Sequence, residues 1–193
     1  MEIRIEDALA LATRANSGAR LEHTLGVAAL AESLAQRHGL DPVRAKYAAL
    51  VHDLAKELDL NAQVRLARSW NLIKYPEDEL APAVLHGPVA AYWLEHVYGL
   101  DDQEILRAVA HHTLGAPGMS RLEMLIYSAD LTEPNRDFPE VDILRRALYD
   151  NLEKGTLACV EHTLNYLRDT KRLIHPLTCL THADLGRRLQ FGP

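Results

Sequence analysis

Charged and imidazole side chains are costly on the buried face of a helix unless they are paired or hold a metal. Five places in this sequence set such groups among apolar residues. His23, in RLEHTLGVAALAESLA, lies one turn before Val27, and Leu30 and Leu34 continue that side. Taken alone it also reads as a half-buried histidine satisfied by a backbone carbonyl. In YAALVHDLAKEL, Val43, Tyr47, Leu50, Val51 and Leu54 make the large apolar face, and a neighbouring stripe runs Ala45, Ala48, Ala49, His52, Asp53, Lys56. The alanines let another helix approach closely, and three- and four-residue spacings turn His52, Asp53 and Lys56 toward that narrow space. A surface acid paired with Lys56 is the plainer alternative for Asp53. It leaves the alanine stripe and the adjacent histidine unexplained.

His86, in VLHGPVAAYW, sits just ahead of an expected helix N-terminus, where free N–H groups favour anions; a loop histidine without a role is the alternative. Spacing separates the doublet in EILRAVAHHTLG. His112 follows Val109 by three and Ile105 by seven, on the apolar face, whereas His111 follows Arg107 by four and Glu104 by seven, on the solvated one. Asp130 follows Ile126 by four and Leu122 by eight, and a lone carboxylate on such a face needs a partner. Together these residues offer nitrogen and oxygen ligands from at least four helices. Such a set suits Fe²⁺, Mn²⁺ or another first-row cation, with Zn²⁺ also open, and it contains no thiolate.

Helical periodicity dominates the chain, and alternating β-branched runs are missing. Gly39 fits a helix C-terminus and Asp41-Pro42 the next N-cap and first turn. Leu58 to Asn61 reads as a break before NAQVRLARSWN. A helix is expected from Pro88 to Gly99, another opening at Asp101 with Glu104, and a third behind the Ser120/Glu123 capping box, ended by Pro134. Further helices are expected over roughly 140–152 and 155–173, and a short one after Pro176. The sum is an all-α bundle of about eight to ten helices in one domain, 1–193, whose interior lets ligands converge from facing helices.

The 193 residues suffice for one domain with a sizeable core. No apolar run of membrane-spanning length exists, and the first residues lack a signal-peptide pattern. Two cysteines, Cys159 and Cys179, make no disulfide framework, so a reducing cytoplasm is the expected compartment. A net charge of −6 argues against binding nucleic acid or anionic membranes through a basic surface. It also means that a polyphosphate ligand needs cations to offset the field.

The order His23, His52-Asp53, Asp130 resembles the H…HD…D pattern of the HD-domain superfamily, all-α metal-dependent phosphohydrolases. The histidine stands about 30 positions before the HD pair and the aspartate about 77 after it. The segments HTLGVAALAESLA, AALVHDLAKEL, LHGPVAAYWL, HHTLG, MLIYSADLTEPNRDFP and RLIHPLT are similar to one branch, the YqeK-type symmetrical bis(5′-nucleosyl)-tetraphosphatases. They span residues 20 to 178; THADLGRRLQFGP matches only loosely, and His111 stands where an aromatic residue is common.

This resemblance implies that His23, His52, Asp53 and Asp130 hold an iron-type divalent metal. It implies that His86 and His112 face the phosphates or hold a second cation. Lys56 and Arg136 would contact phosphate, Arg20 and Thr113 would lie near the nucleotide, and Ile174 and His175 would approach the base or ribose. The implied reaction is hydrolysis of diadenosine tetraphosphate to two ADP by a metal-activated water, with Asp53, Lys56 and Asp130 in the catalytic machinery. Rival readings keep the fold and change the substrate to a guanosine alarmone, a deoxynucleotide, a nucleoside monophosphate or a cyclic dinucleotide, or make the chain a non-catalytic binding module. A homodimer remains open.

Overall fold

Residues 3–192 are described by the computed structural model, and among them the chain forms eleven α-helices, one 3₁₀ turn and no strand. The helices are α1 (Ile5–Ala15), α2 (Gly18–His38), α3 (Pro42–Val51), α4 (Leu60–Ser69), α5 (Glu77–Leu80), α6 (His86–His96), α7 (Gln103–His111), α8 (Arg121–Thr132), α9 (Val141–Asp150), α10 (Leu152–Asp169) and α11 (Pro176–Phe191). The count exceeds the expected eight to ten. α5 is a single turn, too short to show periodicity in sequence.

The punctuation residues act as their chemistry dictates. Gly39 takes φ +66° behind α2, Asp41 accepts from the Val43 and Arg44 amides, and Ser120 and Glu123 close a reciprocal capping box. Each such cap is worth about 1 kcal/mol.

Several boundaries differ from expectation for identifiable reasons. Asp102, not Asp101, caps α7, because the Arg44 guanidinium grips both its oxygens at 3.0 and 2.7 Å. α6 begins at His86 rather than Pro88; the proline sits in the first turn, where its missing N–H costs nothing. α10 starts at Leu152 behind an Asn151 cap, so Gly155 is helical and serves a close approach instead: a Cβ there would stand 2.6 Å from the Leu148 Cα. α11 runs for 16 residues, not one short turn.

The core is one connected apolar cluster threading the helices. α3 lies at its centre against α1, α2, α7 and α8, and α2 also packs on α8. Small residues make this possible: Ala45, Ala48 and Ala49 of α3 and Ala31 and Ala35 of α2 are fully buried, so the backbones approach closely. Val43, expected on the apolar face of α3, is half exposed in the first turn. Among the described residues no helix is long and apolar enough to cross a membrane.

α6 and α7 meet most tightly at Gly87. A Cβ on that residue would lie 2.9 Å from the Val109 carbonyl oxygen and 3.0 Å from that of Ala110. Backbone oxygens at the end of α7 cannot retreat as a side chain does. Gly87→Ala is therefore expected to cost about 1–3 kcal/mol through overpacking, seen as a lower melting temperature. Since His86 adjoins Gly87, the same variant should bind divalent metal more weakly; unchanged stability and metal affinity would show that the close approach is slack.

Candidate metal centre

Three of the site histidines sit at helix ends, where carbonyls lose their intrahelical partners. His52 follows the last residue of α3, His112 follows the last residue of α7, and His86 opens α6 just behind the 3₁₀ turn Pro82–Val84. Each reaches back three residues with Nδ1: His52 to the Ala49 carbonyl at 2.6 Å, His86 to Ala83 at 2.6 Å and His112 to Val109 at 2.7 Å. A carbonyl only accepts, so Nδ1 carries the proton and Nε2 presents its lone pair inward. His23, from the middle of α2, is held instead by a carboxylate, Glu133 Oε1, 3.2 Å from its Nδ1.

Local geometry at the His52-Asp53 pair differs from the helical stripe expected. α3 stops at Val51, and residues 52–57 continue as tight turns, with the Lys56 amide donating to the Asp53 carbonyl at 3.0 Å. The sequence pattern extends the helix because Leu54 and Ala55 remain buried.

The four Nε2 atoms converge on Asp53, whose carboxylate is all but sealed from solvent at 2% exposure. The two carboxylate oxygens divide them. Oδ2 stands 3.4 Å from His52 and 4.0 Å from His23, while Oδ1 stands 3.1 Å from His86 and 3.5 Å from His112. Asp130 adds an oxygen 3.0 Å from His23 Nε2. Burial alone would raise the pKa of Asp53, but the His52 charge and the contacts with His112, His52 and His86 hold it well below the usual carboxylate range. Asp130 is held low in the same way, against burial, chiefly by its contact with His23. Burial would lower the pKa of His52, yet the Asp53 carboxylate outweighs it and the value rises. His86 moves the other way. Burial, aided by the charges of His112 and Lys56, pushes its pKa down to about 4 despite its contact with Asp53.

These donors fit a divalent cation. His23 Nε2 and His52 Nε2 are buried and make no hydrogen bond, although carboxylate oxygens stand 3.0 and 3.4 Å away. Donor atoms bound to one ion at about 2.0–2.2 Å stand roughly 3 to 3.6 Å apart, which is the spacing found here. His86 Nε2 and His112 Nε2 face each other at 2.8 Å with both Nδ1 protons already given to carbonyls, so the two lone pairs are turned on each other in a way that a shared proton or a cation relieves. The groups His23/His52/Asp130 and His52/Asp53/His112 each gather their ligand atoms within 4.8 Å.

Around this cluster stand most of the other residues singled out in the sequence. Arg20 Nη1 donates to Asp53 Oδ2 at 3.1 Å, Lys56 Nζ lies 3.4 Å from His86 Nε2, and Thr113 Oγ1 lies 3.1 Å from His112 Nε2. Arg136 Nη2 donates to Asp130 Oδ1 at 3.2 Å. Farther out, Ile174 packs on the core, and His175 caps α11, contacts Asp78 at 3.1 Å and sets its ring edge-on to Tyr75. His111 is not a free surface histidine. Its Nδ1 lies 2.7 Å from the buried Glu123, which also meets Arg107.

A helical bundle that gathers imidazoles and aspartates in this way defines a metal-dependent hydrolase. The HD domain family model matches residues 20–148. The chain belongs to the HD-domain family, in the branch that contains the symmetrical bis(5′-nucleosyl)-tetraphosphatases. A bis(5′-nucleosyl)-tetraphosphatase (symmetrical) of Halalkalibacterium halodurans is 37% identical over 169 residues, covering 86% of this chain and 88% of that one. The protein of the same name from Bacillus subtilis is 35% identical, over 92% and 95%. A crystal structure described as a predicted HD superfamily hydrolase involved in NAD metabolism, from Clostridium acetobutylicum, superposes with a TM-score of 0.90 at 32% identity, covering 96% of this chain and 98% of that one.

Sequence reasoning missed Glu133. Pro134 forces the residue before it out of the helical region, and Glu133 accordingly has ψ 158°. Its carboxylate then points back to α2, into space that Gly26 leaves free; a Cβ on Gly26 would sit 2.5 Å from Glu133 Oε2. Arg145 fixes the same bend by donating to the carbonyls of Thr132, Glu133 and Arg136. The result is a carboxylate–imidazole pair that fixes the orientation of the ring and leaves Nε2 facing the other ligands. Glu133→Gln should weaken divalent-metal affinity roughly 10- to 100-fold while preserving the helical spectrum; equal affinity would mean that His23 needs no such partner.

Proposed function

We propose that this protein hydrolyses dinucleoside tetraphosphates symmetrically, diadenosine tetraphosphate to two ADP, using Fe²⁺ in preference to Mn²⁺ or another first-row ion. The observation that carries this reading is the division of the Asp53 oxygens between His23/His52 and His86/His112 inside a ring of cationic side chains. It suits two divalent ions: His23, His52, Asp53 and Asp130 would hold one, and His86 and His112 beside Asp53 would hold the second. A divalent ion held there would draw charge from phosphate oxygens and lower the pKa of water toward neutrality, so that a nucleophile exists at neutral pH.

The chain's own residues bind and orient the tetraphosphate. Arg20, Lys56 and Arg136 rim the centre and neutralise phosphate oxygens, which answers the problem set by the net charge of −6. Arg136 offers a planar fork matched to phosphate, and Lys56 a mobile point charge. Thr113, beside His112, offers a hydroxyl donor. In the reaction a water oxygen bonds to one central phosphorus, the central bridging P–O bond breaks, and the bridging oxygen leaves with the other ADP. ADP is an acceptable leaving group, so the reading requires no strong protein acid. Asp53, Asp130 and Lys56 are the side chains assigned to the reacting centre.

The test is a product analysis on diadenosine tetraphosphate with protein purified without added metal and then loaded with Fe²⁺ or Mn²⁺. ADP as the sole nucleotide product is expected. AMP together with ATP would contradict symmetrical cleavage, and no conversion alongside hydrolysis of a guanosine alarmone or a deoxynucleotide would transfer the site to another substrate.

A further inference from the structure

One cavity at the metal centre, of about 720 Å³, carries opposite charge at its two depths. Its floor is His23 and Glu133, both buried, with half-buried Arg20, Lys56 and Arg136 around them. Arg20 and Arg136 reach inward, to Asp53 at 3.1 Å and to Asp130 at 3.2 Å. The rim is made of exposed residues from the start of α2, the turn after α3 and the bend after α8. The charged residues among these are Glu22 and Glu57, both acidic.

Neither rim carboxylate is neutralised. Glu57 accepts from the Ser17 amide at 3.0 Å and from the Ser17 hydroxyl at 3.1 Å, which fixes it at the mouth with neutral partners. Among the described residues no basic side chain pairs with Glu22 or Glu57. Such carboxylates oppose any anion that must rest beside them, and repulsion of this kind discriminates between ligands. Its weight falls unequally on the parts of a polyphosphate. An internal phosphate carries about one negative charge, whereas a terminal phosphate carries about 1.5 to 2 at neutral pH.

We propose that Glu22 and Glu57 are specificity-determining residues: they exclude polyphosphates that end in a free phosphate and leave the cavity to chains capped by a nucleoside. The phosphates of an accepted ligand lie on the cationic floor, and its uncharged sugar passes between the two carboxylates toward solvent. A mononucleoside or inorganic polyphosphate sets its terminal charge against them instead. Neither residue touches the reacting atoms; both act through the field at the mouth. This role rests on the reading that the centre acts on dinucleoside polyphosphates, and it adds how such a centre is kept from the more abundant phosphate chains with a free end.

Two ligands isolate the end group: diadenosine tetraphosphate and adenosine 5′-tetraphosphate, each with a methylene in place of the central bridging oxygen so that neither is cleaved there. Their affinities are measured by calorimetry on the metal-loaded protein at low salt, for the wild type, Glu22→Gln, Glu57→Gln and the double variant. Glutamine keeps the size of each side chain and, at position 57, an oxygen for Ser17. Melting temperatures should not change, since both residues are exposed. One like-charge contact at a protein surface corresponds to roughly fivefold in affinity. The ratio of dinucleotide to mononucleotide affinity should fall by about that factor in each single variant, through tighter binding of the mononucleotide. It should fall further in the double variant, and the wild-type ratio should shrink at high salt, where exposed charges are screened. An unchanged ratio in the double variant would overturn the role. So would an equal gain for both ligands, which marks a general field and not a reading of the end group. Failure to cleave diadenosine tetraphosphate itself would overturn the proposed reaction, and the affinity ratios would still decide what the rim does.

Discussion

Asp53 carries a carboxylate at 2% exposure, enclosed by four imidazole nitrogens and the Arg20 guanidinium. An isolated charge at that depth would cost several kcal/mol even after relaxation. It is tolerable only where positive charge is concentrated around it. The protein supplies part of that charge through Arg20 and a His52 imidazole held ready to take a proton, and the donor set is shaped to receive the rest as a divalent ion. The same constraint explains why the centre lies inside a helical bundle. Only facing helices bring six side chains from residues as distant as His23 and Asp130 to one point.

Helix termination does the aiming. Where α3 and α7 end, free carbonyls take the Nδ1 protons of His52 and His112, and the 3₁₀ turn does the same for His86. Imidazoles that would be interchangeable in solution are thereby locked with Nε2 inward. Backbone strain is not needed. Glycines and alanines provide the closeness: Gly87 lets α6 touch the end of α7, Gly26 admits Glu133, and the buried alanines of α2 and α3 let the two backbones converge. Packing and chemistry are therefore one arrangement, since a side chain added at Gly87 or Gly26 moves a ligand or its support.

How far the sequence revealed this depends on the physical signal each residue leaves. His23, Asp53 and Asp130 are polar residues on apolar faces, a pattern visible without coordinates, and spacing alone separated His112 from His111. The exact turn at His52 was not visible, because Leu54 and Ala55 stay buried and keep the helical rhythm past the true end of α3. Glu133 left no trace, since periodicity says nothing about a residue that Pro134 has pulled out of the helix. His175 pairs with Asp78, 97 positions away, a pairing that only the folded chain displays.

The buried carboxylate of Asp53 is built to hold a divalent ion. The most direct measurement is metal stoichiometry by mass spectrometry on protein purified anaerobically, for the wild type and for Asp53→Asn, which keeps shape and removes charge. One or two first-row ions per chain are expected in the wild type and almost none in the variant, with the helical circular-dichroism spectrum retained in both. Equal metal content in the two proteins, or none in the wild type even after incubation with Fe²⁺ or Mn²⁺, would contradict the account.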